Sequence, residues 1–326
     1  MKRAVITGTG RSLPDRILTN ADLEKMVDTS DEWITTRTGI RERRIAAADE
    51  ALSKFATAAG RNALEAAGVD PADVGLIVLA TVTPDMPIPA TACTIQHELG
   101  CRNAVAFDVA AGCSGFIYAQ AIAQQFLENG QSDTALVIGG ELLSKFVDWN
   151  DRATCVIFAD GAGAVVMKAE DSDRGTLASA MHSDGSMADF ICRPGGGSAQ
   201  PPSQKMIDEG SHFIQMRGNE TFKMAVRSIA GVCSEVLEEA GLTPKDVDWF
   251  IPHQANLRII SAVGQRLGID EDRCYLNIDR IGNTSAASIP IALDEAVREG
   301  RITKGQIVLM AAFGAGLTWA ASVVRW

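Results

Sequence analysis

The sequence predicts an α/β protein, and three observations carry that prediction. Apolar, β-branched runs alternate with alanine-rich stretches of helical period along the whole chain. The strand-like runs are short and largely apolar, as sheets covered on both faces require. The order of features in the first half is echoed in the second, so two similar βα halves about a pseudo-twofold axis, with mixed sheets, are expected.

Residues 74–80, 104–109, 135–138, 156–158, 249–251 and 307–311 read as strands. In the first half, a strand ending at Phe107 and Asp108 passes Gly112 and Cys113, then enters a helix with Phe116, Ala119, Ala123 and Phe126 on one side. In the second half, a strand ending near Leu276 and Asn277 passes Gly282 and Asn283, then enters a helical stretch with Ile289, Leu293 and Ala296. Pro290 blurs the start of that helix. A Gly-Ala-Gly element follows in each half, at 161–163 before Val165 and Val166 and at 314–316 before Leu317. Residues 192–202, with three consecutive glycines and Pro201-Pro202, read as a loop excursion whose role the sequence does not reveal.

Composition narrows the classes. The 326 residues, 46% hydrophobic and 22% charged, suffice for one large core or two packed ones. The opening apolar run is too short for a signal peptide, and no window reaches the ~20 apolar residues of a membrane span, so a cytoplasmic protein is expected. Seven cysteines, an odd number without paired spacing, argue against a disulfide framework and a zinc site. A net charge of −11 disfavours nucleic acid as a general partner. Local basic clusters remain: Arg37, Arg41, Arg43 and Arg44 lie close together, and Arg258 and Arg266 fit one helix face. They read either as solvated surface or as a docking patch for an anionic ligand or acidic partner.

Four segments carry chemistry. In AFDVAAGCSGFIYA, Cys113 sits at a strand-to-helix turn, where the helix start favours a thiolate and lowers the thiol pKa; a buried inert cysteine is the competing reading. In DWFIPHQANLRII, His253 follows a strand and is aimed into a cleft more easily than His97, His182 or His212, which read as structural or surface histidines. In DRIGNTSAASIP, Asn283 occupies the place that Cys113 holds in the first half; it either caps the next helix or points an amide donor at a substrate oxygen. In AAFGAGLTW, Gly314 and Gly316 either free the backbone between them to present an N–H to an oxyanion or simply form a sheet corner. Gly8-Thr9-Gly10 follows a strand, but the third glycine of a dinucleotide fingerprint falls at Leu13, which defeats that reading.

Together, from TNADLEKMVDTSDEWITTRTGIRERRI through IPHQANLRIIS and GNTSAAS to FGAGLTW, these segments resemble the β-ketoacyl-acyl-carrier-protein synthase III family, the initiating condensing enzymes of type II fatty acid synthesis. The resemblance covers essentially the whole chain. It implies a thiolase fold layered α-β-α-β-α, with an N-terminal half over 1–172 and a C-terminal half over 173–326, in a homodimer. It implies a catalytic triad of Cys113, His253 and Asn283, with the backbone N–H groups of Cys113 and Ala315 as oxyanion hole. It also implies coenzyme A contacts from Trp33, Arg37, Arg152, Phe222, Ala255 and Asn256, and docking of acyl carrier protein on Gln254, Ala255, Asn256, Leu257 and Arg258. No resident cofactor is implied, since acyl-CoA and malonyl-carrier protein are substrates. Ile88 and Phe313 are expected at the acyl pocket. Many relatives carry phenylalanine where this chain has Ile88, so a pocket of different and longer shape is expected. Asn283, where elongating relatives use a second histidine, favours a starter enzyme. Thiolase itself is disfavoured, because the last cysteine, Cys274, lies outside any Gly-Ala-Gly loop. A silent thiolase-fold partner protein and a relative serving a secondary product are the competing functions.

Overall fold

The structure is a computed structural model that describes residues 2–326. Two sheets dominate it. The first holds β1 (Arg3–Ser12), β2 (Leu76–Ala80), β3 (Val105–Val109), β4 (Thr134–Leu142) and β5 (Asp160–Glu170), in the spatial order β1-β5-β4-β2-β3. The second holds β6 (Gly175–Ser183), β7 (Trp249–Pro252), β8 (Ile307–Gly314) and β9 (Thr318–Arg325), in the order β6-β9-β8-β7. A single bridge between Phe250 and Cys274 stands where a fifth strand would complete the match. Both sheets are mixed, with parallel pairs at β2 with β3 and β4 and at β7 with β8.

Six helices complete the layers: α1 (Leu52–Ala67), α2 (Thr91–Leu99), α3 (Gly115–Glu128), α4 (Gly218–Glu239), α5 (Leu257–Leu267) and α6 (Ser288–Arg298). Helices α1 and α2 cover the outer face of the first sheet, and α4, backed by α5, covers that of the second. Between the sheets lie α3 and α6, whose Phe116, Ala119, Ala123, Ile289, Leu293 and Ala296 share one core with residues of both sheets. The predicted α-β-α-β-α layering and the apolar faces read for α3 and α6 are therefore present. All strands of the first sheet precede residue 171 and all of the second follow 174. Among the described residues, no helix is long and apolar enough to cross a membrane.

Small residues allow this close layering. A Cβ on Gly8 would stand 2.5 Å from the Ala63 carbonyl oxygen on α1. The Gly8–Gly10 element is thus a packing device. Two sequence expectations change here. Residues 156–158 are not a strand; the stretch is a turn, and Phe158 makes an isolated bridge to Asn283. The two Gly-Ala-Gly elements are not equivalent: the first is the start of β5, paired with β4, whereas the second forms the tight connection between β8 and β9.

Candidate active site

The site forms where the N-termini of α3 and α6 meet. Each helix is preceded by one tight turn, Gly112–Ser114 before α3 and Ser285–Ala287 before α6. Both turns open on a left-handed residue, Gly112 at φ +52° and Ser285 at φ +49°. Ser285 is the one non-glycine residue with positive φ among those described. Aligning the turns sets Ser285 against Gly112 and Ala286 against Cys113. Asn283 lies three residues before Ala286, so it does not occupy the place of Cys113 as the echo suggests.

Cys113 opens into a cavity of about 180 Å³, walled chiefly by apolar groups including Leu143, Phe146, Phe158, Ile191 and Ile214. The turn that carries it is held against the β8–β9 connection: a Cβ on Gly314 would fall 2.5 Å from the Cys113 nitrogen, and one on Gly112 would fall 2.8 Å from the Ala315 nitrogen. This packing brings the backbone N–H groups of Cys113 and Ala315 close together, as a two-donor oxyanion hole requires. Burial pushes the Cys113 thiol up to about 11, against hydrogen bonding from Ser285. The lowering expected from the helix start is therefore outweighed by desolvation.

His253 is buried just past the end of β7, and burial holds its pKa down at about 3, so the ring is neutral. Its Nδ1 lies 2.6 Å from Ser288 Oγ, which also accepts the Gln254 N–H at 3.3 Å. A hydroxyl has one hydrogen to donate, and Nδ1 is the acceptor within reach. On this network Nε2 carries the ring proton, and it makes no hydrogen bond among the described residues. Asn283 is oriented in a comparable way. Its Oδ1 accepts the Ser285 N–H at 2.9 Å, and its backbone is pinned through Ile157 O and Ala159 N. The side-chain amide is left as a donor. His97 is exposed, His182 pairs with Glu235 at 2.7 Å, and His212 packs on Phe213, so none of the three joins this site.

At the surface, Trp33 on a short helix, Asp31–Thr38, lies under two guanidinium groups, Arg37 at 4.9 Å and Arg152 at 5.1 Å from its ring centroid. Arg258 lies 5.5 Å over Phe222. Asn256 caps α5, and its Nδ2 donates to Arg37 O at 2.9 Å, tying the two segments together. Ala255 and Leu257 are partly exposed.

Two expectations are corrected. Gln254 is fully buried, donating to Pro252 O and Tyr275 O and accepting from Asn277 N, so it shapes the docking segment from within and offers no surface to a carrier. Phe313 faces the outer core beside Trp319, because alternation along β8 turns it away from the cavity. Ile88 is 85% exposed on the loop before α2, outside the cavity of its own chain, so a place at the acyl pocket would have to be reached across a subunit interface. The loop of unknown role proves relevant: Ile191, just before it, and Cys192 and Arg193, at its start, line the cavity.

The sequence reading missed Glu141, Ser285 and Ser288. Glu141 had a signal, a lone carboxylate in the otherwise uncharged strand TALVIGGEL. The two serines had none beyond their place in GNTSAAS.

A duplicated α/β fold with a cysteine at one central helix start, and neutral histidine and asparagine donors at the other, defines a condensing enzyme of the thiolase fold. Residues 107–185 match the family model described as 3-oxoacyl-[acyl-carrier-protein (ACP)] synthase III, and residues 237–326 match that of its C-terminal part. A relative from Caldanaerobacter subterraneus subsp. tengcongensis, beta-ketoacyl-[acyl-carrier-protein] synthase III, is 56% identical over 323 residues, 99% of this chain and 98% of its own. The crystal structure of the Aquifex aeolicus 3-oxoacyl-[acyl-carrier-protein] synthase III is 49% identical with a TM-score of 0.93, covering 99% of this chain and 100% of that one. The priming β-ketosynthase of the R1128 polyketide pathway is 37% identical with a TM-score of 0.93, covering 99% and 96%. The chain belongs to the 3-oxoacyl-[acyl-carrier-protein] synthase III family. It is a condensing acyltransferase of fatty acid biosynthesis, acting on coenzyme A thioesters and acyl carrier protein.

Proposed function

We propose that Cys113 takes an acyl group from acyl-CoA and that His253 and Asn283 then serve decarboxylation of malonyl-carrier protein. In the first step the thiolate attacks the thioester, the N–H groups of Cys113 and Ala315 hold the oxyanion, and coenzyme A leaves. In the second, loss of carbon dioxide supplies the carbanion, so the thioester oxygen needs hydrogen-bond donors and no strong base. The enolate carbon attacks the acyl-enzyme and gives a 3-oxoacyl-carrier protein. The observation that carries this reading is the pair of oriented neutral donors, His253 Nε2 and the Asn283 amide, beside the start of α6.

The coenzyme A contacts follow from surface chemistry. Trp33 between Arg37 and Arg152 offers a stacking face beside two cations, which suits a nucleotide with phosphates. Phe222, Ala255 and Asn256 would border the pantetheine arm, while Leu257 and the exposed Arg258 would meet the acidic carrier. A homodimer in the cytoplasm completes the reading. The dimer is supported by edge strand β3, where Val105 is 57% exposed, and by the apolar loop bearing Met86 and Ile88. The two halves, 1–172 and 173–326, would be the repeated units.

Incubation with a panel of acyl-CoAs should add the acyl mass at Cys113, and malonyl-carrier protein should then release the 3-oxo product. Acyl mass that never appears on Cys113 would refute the assignment.

A further inference from the structure

The tautomer of His253 raises a question about the first step. A ring whose Nε2 already carries a proton, and whose Nδ1 is engaged by Ser288, has no free site for the proton of Cys113. Another acceptor is required. Glu141, on β4, is fully buried, and its carboxylate is surrounded by uncharged donors. It accepts from Thr81 Oγ1 at 3.2 Å, Thr83 Oγ1 at 2.6 Å, the Val82 N–H at 3.2 Å and Ser285 Oγ at 3.2 Å. The turn that carries Ser285 packs against the turn that carries Cys113, both residues line one cavity, and the Ser285 hydroxyl favours the ionised sulfur as a hydrogen-bond donor. One hydroxyl therefore stands between the nucleophile and a buried carboxylate. It is held there in a left-handed conformation that a non-glycine residue keeps only where its surroundings impose it.

We infer that Glu141, reached through Ser285, is the proton acceptor for Cys113. The inference rests on the reading of Cys113 as the acyl-carrying nucleophile. As sulfur attacks, its S–H bond breaks and Ser285 Oγ gains that hydrogen, while the original Ser285 hydrogen passes to Glu141 Oε1. Sulfur keeps the electron pair and forms the C–S bond. Coenzyme A leaves as thiolate and takes one proton from solvent. When the enolate later displaces sulfur, the same relay runs backwards and returns the proton from Glu141 to Cys113. Over the cycle one solvent proton is consumed, matching the conversion of a malonyl carboxylate to carbon dioxide.

The electrostatics agree. Burial pushes Glu141 up to about 7, so its proton affinity comes closer to that of the Cys113 thiol than the His253 ring does. The groups that face the carboxylate from the β2 side and from the turn before α6, Thr81, Val82, Thr83 and Ser285, are uncharged. Its partner across the sheet on β5 is Gly161, and the titratable group facing it is Cys113. The pair then shares one negative charge, on the carboxylate at rest and on sulfur at attack.

The test is the rate of Cys113 alkylation by iodoacetamide against pH, followed by mass. In the wild type the rate should rise about tenfold per pH unit below about 7 and flatten above it, because the reactive thiolate with protonated Glu141 has the same proton count as the resting pair. In Glu141→Gln the flattening should vanish and the tenfold rise continue past about pH 9, because burial, the largest cause of the raised Cys113 thiol pKa, remains. A wild-type profile with no break between about pH 6 and 8 overturns the inference without any variant, as does a break that survives in Glu141→Gln. Labelling by acyl-CoA is measured separately, so failure there counts against the nucleophile assignment and leaves the proton coupling to its own readout.

Discussion

The two helices of the middle layer begin with the same backbone and different side chains. The turn before α3 opens on Gly112, which adopts a left-handed conformation freely, and carries Cys113 next. The turn before α6 opens on Ser285 in the same conformation and carries Ala286 next. On the proposed reading, duplication leaves one turn to hold the reacting atom and the other to serve it. The second turn accepts strain to place a hydroxyl against Cys113 and Glu141, and its Ser285 N–H fixes the Asn283 amide as a donor.

The largest effect that would test this division is at the first turn. Cys113→Ala should abolish acyl transfer, by about 10³-fold or more, while leaving decarboxylation of malonyl-carrier protein measurable. Next, Asn283→Ala should spare acylation and depress decarboxylation by about 10²- to 10³-fold, the cost of one oxyanion donor. Equal loss in both steps would mean that the turns are not divided in this way. Ser288→Ala should slow decarboxylation by about 10-fold, because Nδ1 loses its donor, and Ser288→Thr should restore it. A nitrogen chemical-shift spectrum reporting the same His253 tautomer in Ser288→Ala would end that argument. The decarboxylation rate should also stay flat from about pH 5 to 8 so far as His253 is concerned, since its proton is gained only near about pH 3. The smallest effect is on stability. Ser285→Gly makes the second turn resemble the first, and relieved strain should offset the lost hydrogen bond to within about 1 kcal/mol. A loss above about 2 kcal/mol in denaturant unfolding would show that the Ser285 hydroxyl is chiefly a structural bond.

Much of this arrangement is legible in the sequence. The alternation of runs predicts the layers, and the turn residues around Cys113, His253 and Asn283 point to the site because glycine and asparagine leave strong local signals. Residues that act at a distance leave weaker ones. Phe313 is misplaced because resemblance gives a residue's position in a motif and not the face it presents. Gln254 reads as surface because its polar side chain gives no sign of the three buried hydrogen bonds that consume it. Ser285 and Ser288 look alike in SAAS, yet one lines the Cys113 cavity and bonds Glu141 while the other bonds the imidazole.

The shared core around α3 and α6 has a consequence for ancestry. A single half, cut free near residue 172, would bare the apolar face that its central helix now buries against the other half. An ancestral half-length chain of this design would have needed a second copy to cover that face. The middle layer is what a twofold subunit interface becomes once one chain encodes both sides, and each side is then free to mutate without the other.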